Sequence, residues 1–166
     1  MVTTKFTSED IWQMLAEVKD PEIPLVTIVG MGIVRDVVIT SENIEVIITP
    51  TYSGCPASKE IRDGIDQKLR ENSIENFVIN SVLSPPWTSD WIDEETKQKL
   101  KESGIAPPHK VPTNELLSLF GDDRIVHCPY CESKKTKKTS EFGSTLCKSL
   151  HFCDGCHQPF EHFKCI

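Results

Sequence analysis

Two Cys-x-x-Cys pairs, Cys128-Pro129-Tyr130-Cys131 and Cys153-Asp154-Gly155-Cys156, are separated by twenty-one residues. Each short turn aims two sulfurs at one point, and a chain that doubles back between the turns brings four thiolates to the corners of a tetrahedron. Nothing else in the sequence limits the fold as strongly. The segment from about Arg124 onward is too short to build a self-sufficient core, so it needs the metal as a staple. Six of the seven cysteines fall in the last thirty-nine residues. In a reducing compartment such clustering indicates metal ligands rather than disulfides.

Structural zinc is the leading metal for this set, because closed four-cysteine sites are its common form. Thiolates also hold iron–sulfur clusters, so the donors alone leave the metal open. Cys147 and Cys165 lie between and after the pairs. Either is a candidate additional ligand, replacing a nominal one or serving a second labile site, or it stays free. His127, His151, His157 and His162 have no paired spacing and are expected at the surface or behind the ligands. Phe142, Phe152, Phe160 and Phe163 are expected to form the small core.

The 166 residues accommodate one ordinary domain followed by this mini-domain. A hydrophobic content of 38% and a charged content of 26% fit a globular chain, and no apolar run is long enough to span a membrane. Met1 to Ser8 lack the features of a secretory signal, which makes the cytoplasm the expected location. The net charge of −7 divides into −10 over residues 1–123 and +3 over residues 124–166. The run Lys134-Lys135-Thr136-Lys137-Lys138 reads as a solvated hairpin tip, and nucleic acid is not an expected partner of so acidic a chain.

Upstream, Thr7 and Asp10 fit a capping box, and Ile11, Trp12, Met14, Leu15 and Val18 recur at helical spacing until Lys19-Asp20-Pro21 stops the helix. After an irregular Pro21-Glu22-Ile23-Pro24 loop, residues 33–40 and 44–49 read as an antiparallel hairpin. Ala57, Ile61, Ile65 and Leu69 then mark one face of a helix. Cys55 stands at the strand-to-helix turn before Pro56. At a helix N-cap a thiol meets unsatisfied N–H groups and the positive dipole end, which stabilises thiolate; the alternative is a small buried filler, as lone cysteines often are. Residues 77–83 read as a third strand, and a polar helix with Trp87 and Trp91 as packing residues is expected from Ser89 to about Gly104. Residues 114–120 suggest a short helix. The fold class is therefore α+β: a sheet of about three strands with helices over residues 1–104, a proline-containing linker over 105–123, and a zinc-ribbon-like β-hairpin module over 124–166. No general acid–base pair, nucleophile triad or phosphate-binding glycine loop is present, so no catalytic residue is assigned and the chain is not read as an enzyme.

Asp20-Pro21-Glu22-Ile23-Pro24, Gly32-Ile33-Val34 and Thr49-Pro50-x4-Cys55-Pro56 resemble the small domain of SufT-type iron–sulfur assembly proteins. The two Cys pairs, with Ser140-Glu141-Phe142-Gly143-Ser144-Thr145-x-Cys147 and Pro159-Phe160-x2-Phe163-Lys164, resemble the PaaD (PaaJ) family of phenylacetate degradation. Together these segments span nearly the whole chain. The resemblance implies an accessory protein of the phenylacetyl-CoA ring 1,2-epoxidase, assisting iron–sulfur cluster assembly or insertion into its reductase component. It implies Cys55 as the cluster-contacting or iron-transfer residue, with Asp20 and Glu22 as its acidic loop. The cofactors implied are structural zinc and a transient iron–sulfur cluster or iron. The partners implied are the oxygenase and reductase subunits and the iron–sulfur assembly machinery, with a homodimer left open. The competing reading is a zinc-ribbon scaffold that recognises protein or nucleic acid.

Overall fold

The structure, a computed structural model, describes residues 6–51, 54, 56–109 and 125–164. They fall into two compact units, Met1–Trp87 and Thr88–Ile166.

The first unit opens with α1, Ser8–Leu15. The Thr7 hydroxyl accepts from the Asp10 N–H at 3.2 Å, and the Asp10 carboxylate accepts from the Thr7 N–H at 2.7 Å, which satisfies two of the donors a helix start leaves orphaned. Helical geometry ends three residues earlier than the apolar spacing suggests. Glu17 N–H bonds to the Met14 carbonyl and Val18 N–H to that of Leu15, a tighter i→i+3 turn that still buries Val18.

Strands β1, Val34–Ile39, and β2, Ile44–Ile48, pair antiparallel, with a bulge between Val34 and Asp36. Strand β3, Phe77–Ser81, pairs parallel on the other side of β2, giving the order β1-β2-β3. A parallel neighbour needs a crossover, and helix α2, Ala57–Glu71, supplies it. Its Ala57, Ile61, Ile65 and Leu69 are all buried, as are Ile44, Val46 and Ile48 from alternate positions of β2. Each fully buried large aliphatic contributes about 2 kcal/mol. Helix α1 packs on both α2 and β1. Trp87 is buried, and its indole N–H donates to the Met31 carbonyl at 3.0 Å.

In the second unit the helix expected from Ser89 onward is divided. Ser89–Trp91 form one 3-10 turn, and α3 runs over Glu94–Glu102. The break lies at Asp93, whose extended backbone lets its carboxylate accept from the Thr96 N–H at 2.6 Å and begin a new helix. After Gly104, at φ 81°, Ile105–Ala106 form β4. These two residues, expected in the linker, pair parallel with Glu161–His162. Pro107 and Pro108 follow and cannot extend the ladder, which is why the strand is so short. Residues 110–124, with the rest of that linker and the short helix read at 114–120, lie outside the described residues.

Strands β5, Thr136–Ser140, β6, Lys148–Cys153, and β7, Pro159–Phe163, complete a sheet of order β4-β7-β6-β5. Ala106, Val126, Cys128, Cys153 and Phe160 form a small core that Cys156 joins. Phe163 is buried, but Phe142, expected in the core, is 60% exposed. The Lys164 ammonium covers its ring at 4.5 Å. Among the described residues no helix is long and apolar enough to cross a membrane.

Candidate functional site

The Cys-x-x-Cys turns are built alike. In the first, Cys128 N–H donates to the Ser133 carbonyl and Glu132 N–H to that of Cys128; in the second, Cys153 N–H donates to the Gln158 carbonyl and His157 N–H to that of Cys153. The residue after each second cysteine closes the turn in the left-handed region, Glu132 at φ 58° and His157 at φ 59°. Non-glycine residues rarely occupy this region, and they persist there when the surrounding structure over-determines them.

These turns bring Cys128, Cys131, Cys153 and Cys156 together, with all four sulfurs within 4.8 Å of one another. The Cys128–Cys156 and Cys131–Cys153 sulfur pairs are each 3.6 Å apart. A tetrahedron of metal–sulfur bonds of about 2.3 Å has edges of about 3.8 Å, so the donor set fits a single four-coordinate ion. Backbone N–H groups reinforce the thiolate form at one corner. The N–H of Cys156, then that of Gly155 at 3.3 Å, hold the Cys153 thiol down at about 6 against the effect of burial. Burial pushes the Cys156 thiol up to about 12. The cluster therefore has one corner that is thiolate at neutral pH and another that loses its proton to a metal.

Cys147 does not join this set. It is buried on β6's N-terminal side, with its sulfur 3.1 Å from the Thr145 hydroxyl. Cys165 lies outside the described residues. Of the four histidines singled out in the sequence, His127 and His157 are exposed while His151 and His162 are buried.

In the first unit, the acidic loop is organised by Asp20, which is only 7% exposed. One of its carboxylate oxygens accepts from the N–H groups of Glu22 and Ile23, each at 2.8 Å, and its own N–H donates to the Val26 carbonyl. That oxygen is thus committed to shaping the loop, whereas Glu22 is half-buried at its edge. Cys55 lies outside the described residues, but both its neighbours are described. Gly54 has φ 85° with open space where a Cβ would stand, and Pro56 has helical dihedrals and caps α2 without a side-chain bond. The N-cap assignment expected for Cys55 therefore falls on Pro56, one residue later. Thr49, where β2 runs into this loop, is buried, and its hydroxyl has no hydrogen-bond partner among the described residues.

Two features had no sequence signal. Lys148 is buried against Glu161 at 3.0 Å, a cross-strand ion pair visible only once β6 and β7 are in register. His109, which follows two prolines, lies 6.5 Å from His127 and 6.0 Å from His162 between ring centroids.

Two family models match the chain: an iron–sulfur cluster assembly protein over residues 8–81 and the PaaD zinc beta ribbon domain over residues 112–164. A Staphylococcus aureus protein named "Fe-S protein maturation auxiliary factor SufT" is 37% identical over 47% of this chain and 90% of its own length. The crystal structure of a domain of unknown function, DUF59, from Bacillus anthracis superposes with a TM-score of 0.53 at 29% identity, covering 56% of this chain and 90% of that one. An Escherichia coli protein named as one component of a "Putative 1,2-phenylacetyl-CoA epoxidase" is 40% identical over 95% of this chain and 92% of its own length. With that identity running through both units and the ribbon matched by its own model, the chain belongs to the PaaD family.

Proposed function

We propose that this protein is a non-catalytic maturation factor that helps assemble or insert the iron–sulfur cluster of a phenylacetyl-CoA epoxidase system, with the reductase component as its client. The observation that carries the reading is the joining, in one chain, of an iron–sulfur assembly-type domain and a PaaD-type ribbon. Cys55 is the residue assigned to cargo. It precedes Pro56 and a helix whose first turn has no side-chain cap, and it follows Gly54, at φ 85°. The start of a helix favours thiolate. One cysteine cannot fill the coordination of an iron centre, so the remaining positions come from the client, a donor scaffold or a second copy of this chain. Asp20 and Glu22 belong to this reading as the family's acidic loop, Asp20 holding the backbone and Glu22 offering a carboxylate.

Cys128, Cys131, Cys153 and Cys156 hold a structural zinc in this reading. A redox-inert ion in a closed site stabilises the ribbon and leaves transient iron ligation to the first unit. The ribbon then serves to dock the client. A nucleic-acid role is disfavoured by the state of the lysine run, since Lys137 pairs with Asp154 at 3.0 Å and Lys138 with Glu141 at 2.9 Å.

The test is Cys55→Ser, co-expressed with the epoxidase components. Iron and acid-labile sulfide in the purified reductase component should fall to the level seen without this protein, while zinc in the variant stays at one per chain. Client cluster content equal to wild type would overturn the assignment.

A further inference from the structure

The cleft of about 160 Å³ that His109, His127, Lys101 and Glu132 line lies beside the first cysteine turn. The other end of the β5–β6 hairpin carries a different feature. From Cys153 back to Lys148 strand β6 makes five steps of about 3.3 Å, so the loop of residues 141–147 begins about 16 Å from the cysteine end. Nothing in the four-cysteine site uses it.

That loop is fixed from several sides. The Ser140 hydroxyl donates to the Phe142 carbonyl at 2.9 Å and accepts from the Phe142 N–H at 3.2 Å. Gly143 N–H donates to the Lys148 carbonyl at 2.8 Å, and Ser144 N–H to Glu161 Oε1 at 2.5 Å. A Cβ on Gly143 would stand 2.5 Å from the same oxygen, so the loop lies flush against that carboxylate. Glu161 is itself the partner of the buried Lys148. A buried ion pair is weak evidence for stability, because desolvation offsets its attraction. Here the pair supplies a fixed acceptor to the loop.

The two large apolar side chains on this ordered loop are nevertheless left in water, Phe142 at 60% and Leu146 at 53% exposure. Singly scattered apolar residues need no explanation, but these two belong to one patch. The Lys164 ammonium lies 4.5 Å from the centre of the Phe142 ring and donates to the Leu146 carbonyl at 3.0 Å. An aromatic side chain on a loop already ordered is a good anchor for a protein partner, since binding then costs little further entropy.

Charge selects the kind of partner. Of the three lysines around the loop, Lys138 pairs with Glu141 and Lys148 with Glu161. Among the described residues no carboxylate pairs with Lys164, which leaves one ammonium beside the apolar patch for an acidic group. A nucleic-acid backbone calls for a row of such cations. One cation set against two apolar side chains matches a protein pocket with a carboxylate at its rim.

We propose that the 141–147 loop is the surface through which this protein docks its client, with Phe142 and Leu146 entering an apolar pocket whose rim carries a carboxylate for Lys164. Naming the client as the occupant rests on the maturation reading.

The test is isothermal titration of the full-length, metal-bound protein with the purified reductase component. Phe142→Ala and Leu146→Ala should each weaken binding about ten-fold or more, with the bound metal and the thermal transition unchanged. Lys164→Gln should weaken it and flatten its dependence on salt. Leu83→Ala, equally exposed in the first unit, should leave it unchanged. Wild-type affinity in both Phe142→Ala and Leu146→Ala, an equal loss in Leu83→Ala, or no binding by the wild type each overturns the proposal. Self-association that Phe142→Ala abolishes makes a second copy the occupant and overturns it as well. If Cys55→Ser leaves client clusters intact while Phe142→Ala weakens binding, the transfer reading falls and the docking surface stands.

Discussion

At the residue scale one left-handed turn residue and one buried ion pair of the ribbon each have a measurable consequence. His157 closes its turn at φ 59°, where an L side chain pays about 1 kcal/mol that glycine does not. His157→Gly should therefore stabilise the metal-bound ribbon by about 1 kcal/mol in urea unfolding, and no change would mean that the side chain's own contacts offset the strain. Lys148 and Glu161 act in the opposite sense. Burial pushes the Glu161 carboxyl up, but the Ser144 N–H and the Lys148 ammonium outweigh it and leave the group below its ordinary value. The stabilisation is thus present at neutral pH, above the unfolded carboxylate value, and is lost as pH falls through the lowered folded value. Glu161→Gln should cost about 3 kcal/mol at neutral pH, because it strands a buried ammonium. The deficit should shrink as the wild type is acidified, and a pH-independent difference would point to packing. In the sequence His157 stood out only as one of four histidines expected at the surface or behind the ligands, and Lys148 and Glu161 not at all. A left-handed φ at a histidine and a cross-strand pair 13 positions apart are properties of register, which no local pattern encodes.

Among the elements, α2 was legible and β4 was not, for a physical reason. Ala57, Ile61, Ile65 and Leu69 repeat a helical period over several turns, and all four are buried. Ile65→Ala should destabilise the first unit by about 3 kcal/mol, read from its thermal or denaturant transition. A loss under 1 kcal/mol would mean that the face is less closely packed than its burial indicates. Thr7→Ala removes the hydroxyl that starts α1 and should cost about 1 kcal/mol. By contrast, Ile105–Ala106 is too short to have a period, and its partner strand lies far downstream. The division of α3 was hidden as well. Asp93 is both an acceptable helix residue and a cap, and only its extended backbone shows which role it takes.

On the scale of the whole molecule, the two units have different sources of stability. The first buries aliphatic side chains from two helices and a sheet, whereas the second has a core in which three of six members are metal-binding cysteines. A strong chelator should therefore abolish the dispersed amide NMR signals of β5–β7 while those of β1–β3 persist. Loss of both sets together would show that the first unit depends on the ribbon. The candidate metal site was almost fully legible, because its ligands come in two local pairs. The cleft with His109 was not, because its lining residues come from separate segments that only the fold brings to one place.

The order β4-β7-β6-β5 puts β7 between β4 and β6, although it is translated after both. On the ribosome, β4 must emerge and wait unpaired while the chain through Phe163 is made, and both cysteine pairs leave the tunnel before the strand that locks them in register. Metal capture can therefore precede completion of the sheet during synthesis. Premature termination within β7 would then yield a chain that binds a metal at four sulfurs yet has an open sheet edge on either side of the gap, a species prone to pair with other nascent chains.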